Sequence, residues 1–465
     1  MNRLDPGKLT SVDENGDRLY LIPAEVRGFF RKHRTWSQCV LLVIFLLLPW
    51  TRINGHQTIL IDIPKREFAL FGILFRSHDA PLLFFVLGTL TLGLAFVTSI
   101  WGRVWCGWAC PQTVFIDAVF RRIEQWVEGS YIERRRLRDA PLSWNKFSKV
   151  SLKWFLFFVA SSLIAHSFMA YFVGAVDLMH MVQNSPFQNP TYFILVISFT
   201  ALVLFDFAWF REQFCVIMCP YGRIQSVLLD SKSMAVVYDE KRGEPRKGSA
   251  TKDKVGDCVS CNRCVQVCPT GIDIRNGLQM ECIACTACID ACDEIMEKVK
   301  KPRGLIRYDT LDGSKINLKK PRSLIYMTAI IFLVAGLSYA IGTRESAHFT
   351  VLRGAGLPYS YVKNNEQELI LNQFRIHIQN QSGKEALYQL RLNAELLQKG
   401  VEFSVAENPL PLKPGDSREW YFFVRIPPAL FTDSDKIKTT IEVQDIGPEK
   451  SLNSTRELIL VGPRQ

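Results

Sequence analysis

Eight cysteines within 35 residues constrain this chain more than any other feature. They read Cys258-x2-Cys261-x2-Cys264-x3-Cys268-Pro269 and, after a thirteen-residue spacer, Cys282-x2-Cys285-x2-Cys288-x3-Cys292. Three thiolates at this spacing hold three corners of a cubane iron-sulfur cluster, and the fourth cysteine of each run crosses to the other cluster. One 4Fe-4S centre is therefore expected on Cys258, Cys261, Cys264 and Cys292, and a second on Cys282, Cys285, Cys288 and Cys268. Zinc also takes CxxC pairs, but two four-cysteine runs this close do not follow zinc spacing.

The 465 residues are 48% hydrophobic with mean hydropathy +0.07, too long for one ordinary domain and too apolar for a wholly soluble chain. Apolar runs near 36–53, 81–101, 152–174, 191–210 and 323–342 each approach the roughly 20 residues a membrane helix needs. The net charge of +11 gathers beside these runs, which reads as membrane topology rather than nucleic-acid binding. Arg103, Arg121, Arg122, Arg134, Arg135, Arg136, Arg138, Lys146 and Lys149 lie between the second and third runs, whereas 175–190 carries no lysine or arginine. By the positive-inside rule the basic segment is cytoplasmic. The expected organisation is a cytoplasmic tail over 1–34 without a cleavable signal, four spans within 35–210, and a cytoplasmic segment over 211–322 holding the cluster module at about 250–296. A fifth span over 323–342 and an outer domain over 343–465 complete it.

That outer domain reads as strands. Phe374, Ile376 and Ile378 alternate with polar neighbours, as do Val401, Phe403 and Val405, then Trp420, Phe422, Val424 and Ile426, then Ile437, Thr439, Ile441 and Val443. Turn residues at Gln381-Ser382-Gly383 and Lys413-Pro414-Gly415-Asp416 separate them. About seven such strands suggest an immunoglobulin-type β-sandwich, here without cysteine and with docking as its expected role.

Four more cysteines form two pairs. After the second span comes Arg103-Val104-Trp105-Cys106-x3-Cys110-Pro111, and after the fourth Arg211-Glu212-Gln213-Phe214-Cys215-x3-Cys219-Pro220. Spans one-two and three-four then look like a parallel repeat, with the four thiols at one depth. Proline opens a helix, so Cys110 and Cys219 sit near N-caps, where a helix N-terminus favours the thiolate. Arg103 and Arg211 would add positive charge. Low-pKa thiolates at a membrane edge suit Cu(I) or redox chemistry of their own; the bland alternative is inert cysteines packing tight turns. Met179-His180-Met181 offers further soft ligands but is more often interfacial filling. His166 reads as a satisfied polar residue, and Asp206 is either functional or a partner of Arg211.

No nucleotide-binding loop and no HExxH is present, so electrons come from elsewhere. The module around 258–292 resembles a bacterial two-cluster ferredoxin, except that Asp293 stands where the second run usually has proline. Five spans, two Cys-x3-Cys-Pro turns, an inserted ferredoxin module and an outer sandwich together resemble the CcoG family, also called FixG or RdxA. The resemblance implies a bacterial inner-membrane cupric reductase, acting in assembly of cbb3-type cytochrome c oxidase. It would carry two 4Fe-4S clusters and hold copper on Cys106, Cys110, Cys215 and Cys219. It further implies a cytoplasmic electron donor and a copper transporter or chaperone among the oxidase assembly factors as partners, with the oligomeric state, including a homo-oligomer, left open. A quinol-linked membrane ferredoxin and a non-catalytic scaffold with redox-sensing clusters are the rival readings.

Overall fold

The computed structural model describes residues 20–53, 55–75, 79–247, 255–314, 320–343, 347–364, 367–381, 384–413, 415–432, 434–447 and 453–463. Residues 1–19 of the expected tail and the turn residues Ser382, Gly383 and Pro414 lie outside the described residues. The chain divides into two compact units, Met1–Leu337 and Ser338–Gln465.

Among the described residues four helices are long and apolar enough to cross a membrane: Pro81–Trp101, Trp144–Val173, Pro190–Phe210 and Pro321–Gly342. Five were expected, and the difference lies in the first. A helix does form there, Phe29–Leu47, but it starts well before the apolar run and takes in Arg31, Lys32 and Arg34. Its remaining apolar stretch ends in a 3-10 turn at Leu48–Trp50, and its three basic residues leave it outside the count of helices apolar enough to cross. Charge facing lipid is costly, and Arg34 avoids it by lying buried in protein. The third span begins at Trp144 rather than near 152, because the Ser143 side chain accepts from the Lys146 amide and caps the helix there.

The cluster module is a small lobe. Strands Met234–Tyr238 and Ile306–Thr310 pair antiparallel, with Val236 opposite Tyr308, and the helix Ala287–Lys298 packs against them. Its apolar core includes Val236, Ile274, Met296, Leu305 and Ile306 beside Cys258 and Cys264. The Asp290 carboxylate accepts from the amides of Phe30 and Arg31 at 3.1 and 2.7 Å. A lobe residue thus satisfies two free N–H groups opening the helix Phe29–Leu47, where negative charge is favoured.

The second unit is a sandwich of nine strands among the described residues. One sheet runs Glu402–Val405, Ser417–Ile426, Gln367–Asn380, Ala347–Arg353, with Ser360–Asn364 pairing the first half of Gln367–Asn380. The other runs Leu410–Leu412, Ala386–Leu392, Lys436–Asp445, Asn453–Val461. Phe374, Ile376, Ile378, Phe422, Val424, Ile441 and Val443, on alternate positions of their strands, meet in a single core. The expected immunoglobulin-type architecture holds.

Candidate functional site

Each cysteine loop winds through two left-handed residues at matching positions. Ser260 and Asn262 have φ of 56° and 55°, and Ala284 and Thr286 have φ of 52° and 62°. Non-glycine residues adopt this region rarely, so its repetition marks one loop design used twice. The loops bring the thiols together in two cavities. One is lined by Cys258, Cys261, Cys264 and Cys292 with Tyr238 and Arg275. The other is lined by Cys268, Cys282, Cys285 and Cys288 with Ile283, and by Cys264 on the side shared with the first. All eight thiols are free.

Burial sets their protonation. It pushes the thiols of Cys264 and Cys268 up to about 11 and those of Cys282 and Cys292 up to about 12, with neighbouring cysteines adding to the rise. Buried thiols facing one another are poor company as anions unless positive metal sits between them, and the donor set fits a cluster in each cavity. Among the described residues no three His, Cys, Asp or Glu side chains converge closely enough for a single metal ion.

The two Cys-x3-Cys-Pro turns share one backbone. Gly102, capping the helix Ala80–Trp101, has φ 59° and ψ −134°, and Arg211, capping the turn Phe205–Phe210, has φ 53° and ψ −126°. Four residues on are Cys106 and Cys215. The amides of Cys110 and Cys219 then bond the carbonyls of Trp105 and Phe214, each at 2.8 Å. Cys110 and Cys219 are both extended, and Pro111 and Pro220 open the next helices. The structural equivalent of Arg211 is therefore Gly102, and Arg103 corresponds to Glu212. Arg103 and Arg211, the arginines that precede the two cysteine pairs, thus do not occupy equivalent positions.

The four thiols influence one another electrostatically: Cys106 feels Cys110 and Cys219, and Cys215 feels Cys110, Cys106 and Cys219. Cys106, Cys110 and Cys215 are not the low-pKa thiolates expected. Burial pushes Cys106 up to about 11, against weaker lowering by a Gln225 hydrogen bond and by Arg103, and burial also raises Cys110 and Cys215. For Cys110, hydrogen bonds from the Gln112 and Thr113 backbone offset part of that rise. The helix N-terminus acts as predicted, but desolvation outweighs it. The Arg211 guanidinium is committed to Glu124 at 2.5 and 3.4 Å and is not among the main influences on Cys106, Cys110 or Cys215.

Cys106 also touches the cluster lobe. It packs into the apolar cluster of Ile283, Cys285 and Ala291, with Cys288 alongside. Gly107 permits this: a Cβ there would lie 2.7 Å from the Ile283 carbonyl oxygen and 2.6 Å from that of Ala284. The Arg34 Nε donates to the Gly107 carbonyl at 2.7 Å and holds the turn from the other side.

The remaining expectations resolve locally. Asp206 accepts from Gln112 at 2.9 Å and does not pair with the Arg211 side chain. His166 Nδ1 lies 2.7 Å from the Ser162 carbonyl oxygen of its own helix, a satisfied polar residue. Met179 and His180 are exposed on the helix Ala175–Gln183. What sequence reasoning missed is a buried ionic layer beside the thiols. Asp117 accepts from Arg31, Arg34 and Arg121 at 2.9, 2.7 and 2.8 Å, Glu124 from Arg211 and Arg134. Arg121 also reaches Glu212. Burial alone would raise Asp117, but Arg34, Arg121 and Arg31 hold it well below the usual carboxylate range. Arg134, read from sequence as a topology determinant, is a structural member of this layer.

Residues 210–311 match the 4Fe-4S dicluster domain, residues 82–129 a 4Fe-4S binding domain, and residues 337–463 the Ig-like fold at the C-terminus of FixG. Protein RdxA of Cereibacter sphaeroides is 35% identical over 395 residues, 81% of this chain and 82% of that protein. Protein RdxB of the same organism is 35% identical over 83% of this chain and 86% of its own. The nitrogen fixation protein FixG of Rhizobium meliloti is 40% identical over 68% of this chain and 63% of its own. The protein is a membrane iron-sulfur redox protein with two 4Fe-4S clusters. With cluster lobe, apolar helices and C-terminal sandwich all matched over most of both chains, it belongs to the FixG/RdxA family.

Proposed function

We propose that this protein reduces Cu(II) to Cu(I) at Cys106, Cys110, Cys215 and Cys219, for copper delivery during assembly of a cbb3-type cytochrome c oxidase. The observation that carries the reading is that Cys106 packs against the apolar cluster that contains Ile283 and Cys285 and that Cys288 also joins, which sets a soft-ligand site beside a cluster cavity. Cys258, Cys261, Cys264 and Cys292 would hold one cluster, and Cys268, Cys282, Cys285 and Cys288 the other; when bound, these supply electrons singly. Cu(II) accepts one electron and leaves as Cu(I), and a one-electron carrier on the cytoplasmic side restores it. A soft cation binds such a site by displacing thiol protons, and Cu(I) is satisfied by few thiolates. Gln225, whose side-chain nitrogen lies 3.2 Å from Cys106 Sγ, orients that sulfur. The basic segment between the second and third spans supports a bacterial inner-membrane location with the N-terminus and cluster lobe cytoplasmic and the sandwich periplasmic. The expected partners are a copper transporter or chaperone and oxidase assembly factors.

The test uses protein purified anaerobically in detergent, its clusters reduced and free reductant removed. Cu(II) is added while cluster absorbance and a Cu(I)-specific chelator are followed together. Cu(I) should appear in step with cluster oxidation, and clearly less in a variant with the four cysteines replaced by serine. Clusters that stay reduced, or equal performance by that variant, would overturn the reading and make a quinone the next acceptor to try.

A further inference from the structure

Seven basic side chains are buried among the described residues, and six have a carboxylate beside them. Arg34 and Arg121 meet Asp117, Arg134 and Arg211 meet Glu124, Arg275 meets Asp273 at 2.6 Å and Lys320 meets Asp230 at 2.8 Å. Arg103 is the seventh. It is 8% exposed, and the hydrogen bonds it makes go to backbone carbonyls: Cys282 at 3.1 Å, Gly222 at 3.3 Å, and Met280. A guanidinium taken out of water without a counter-charge is strongly disfavoured, so a negative charge is missing from its surroundings.

Position says where that charge belongs. Arg103 donates to the Cys282 carbonyl, Gly107 lies against the Ile283 and Ala284 carbonyls, and Cys106 packs against the apolar cluster that contains Ile283 and Cys285. The whole first turn therefore docks on the loop Cys282–Cys288, which lines one cluster cavity. The charge of Arg103 acts on both Cys106 and Cys282. The other cavity has its own cation, Arg275, but Asp273 neutralises it.

We propose that Arg103 is the counter-charge for one cluster only, the one in the cavity of Cys268, Cys282, Cys285 and Cys288, and that it raises the reduction potential of that cluster and links it to the four-thiol site. Four thiolates make a cluster site net negative, and taking up one electron adds one more negative charge. An uncompensated guanidinium stabilises that added charge, and net charge is one of the determinants of cluster potential. Arg103 is a positioning and potential-setting residue. The link to the thiols rests on the copper reading; the selective effect on potential does not.

The experiment is an anaerobic redox titration of the full chain in detergent, with both clusters followed by electron paramagnetic resonance and iron content measured. In Arg103→Gln one cluster should become about tenfold harder to reduce, about 59 mV for one electron, while the other stays within error. Arg103→Lys, which keeps the charge, should stay near the parent. Arg275→Gln serves as the control and should move the other cluster more than this one. Iron lost from Arg103→Gln but kept in Arg103→Lys also supports a counter-charge. No shift, equal shifts of both clusters, or the same shift or iron loss in the lysine variant overturns the proposal. Because potentials are read without copper, a parent that fails to reduce Cu(II) yet shows the selective shift refutes the copper reading and leaves this one standing.

Discussion

At the end of the helix Ala80–Trp101 the left-handed position is Gly102, whereas after the helix Pro190–Leu204 the same position is Arg211. Glycine enters that region without a Cβ penalty; an arginine there is strained by about 1–3 kcal/mol. Strain of this kind persists where surroundings over-determine it, and around Arg211 they do. Glu124 binds its guanidinium, the Ala208 carbonyl accepts from Nε at 3.0 Å, and the Tyr20 ring lies 5.1 Å from it. The second turn is therefore pinned by compensated charge, and the first by close backbone packing on the cluster lobe. One backbone design serves two tasks: the second copy is anchored in the ionic layer, and the first brings an uncompensated cation to a redox centre.

Removing the compensation is the harshest way to break this contrast. Glu124→Gln strips the carboxylate from Arg211 and leaves Arg134 with Glu25, and breaking a buried pair costs about 3–5 kcal/mol. A fall of that size is expected in the denaturant midpoint of the detergent-solubilised protein, and a change near zero would mean that charge does not hold the second turn. Next comes Gly102→Ala. Its methyl would meet the Met234 carbonyl oxygen at 2.2 Å in a backbone region hostile to Cβ, and a loss of about 3 kcal/mol is expected from strain and overlap together. The same unfolding measurement reads it, and an unchanged midpoint would refute the tight docking of the first turn.

Arg211→Gly makes the second copy resemble the first. It relieves the strained backbone and leaves Glu124 with Arg134, so a net loss of about 2 kcal/mol is expected, less than for Glu124→Gln. Equal losses would show that Arg211 carries no strain. The smallest effect is on pH. Burial favours protonation of Asp117 and Glu124, yet Arg34 and Arg121 for the first and Arg211 for the second depress both below their ordinary values. Their stabilisation is fully present above the unfolded carboxylate values near about 4 and is lost as pH falls below them. Unfolding midpoints followed from pH 7 downward should fall more steeply in the parent than in Glu124→Gln; parallel curves would remove Glu124 from the account.

Much of this molecule was legible in its residues. The period-two alternation of Phe374, Ile376 and Ile378 is the inward face of a sheet, because strand side chains alternate whatever the context. Apolar runs gave four helices near the expected bounds, and at the first the helix begins earlier than the apolar run and takes in Arg31 and Arg34. The short strands Ile59–Asp62, Glu67–Leu70 and Ile73–Phe75 went unseen, being too short for a periodic signal. Thiol protonation was misjudged because the helix N-terminus is visible in a Cys-Pro pair, while the burial that outweighs it is not.

What the sequence by itself determined are the properties carried by spacing and period: two four-cysteine loops able to supply two cluster sites, apolar helices, a repeated Cys-x3-Cys-Pro turn and an alternating sandwich. Tertiary structure alone decided which arginines are buried and which carboxylates meet them, the alignment of Gly102 with Arg211, and the docking of Cys106 and Arg103 on the loop Cys282–Cys288. Spacing is a local property of the chain, readable residue by residue. Desolvation and charge compensation depend on groups far apart in sequence, as Asp290 and Arg31 or Arg103 and Cys282 are, and exist only once the fold has brought them together.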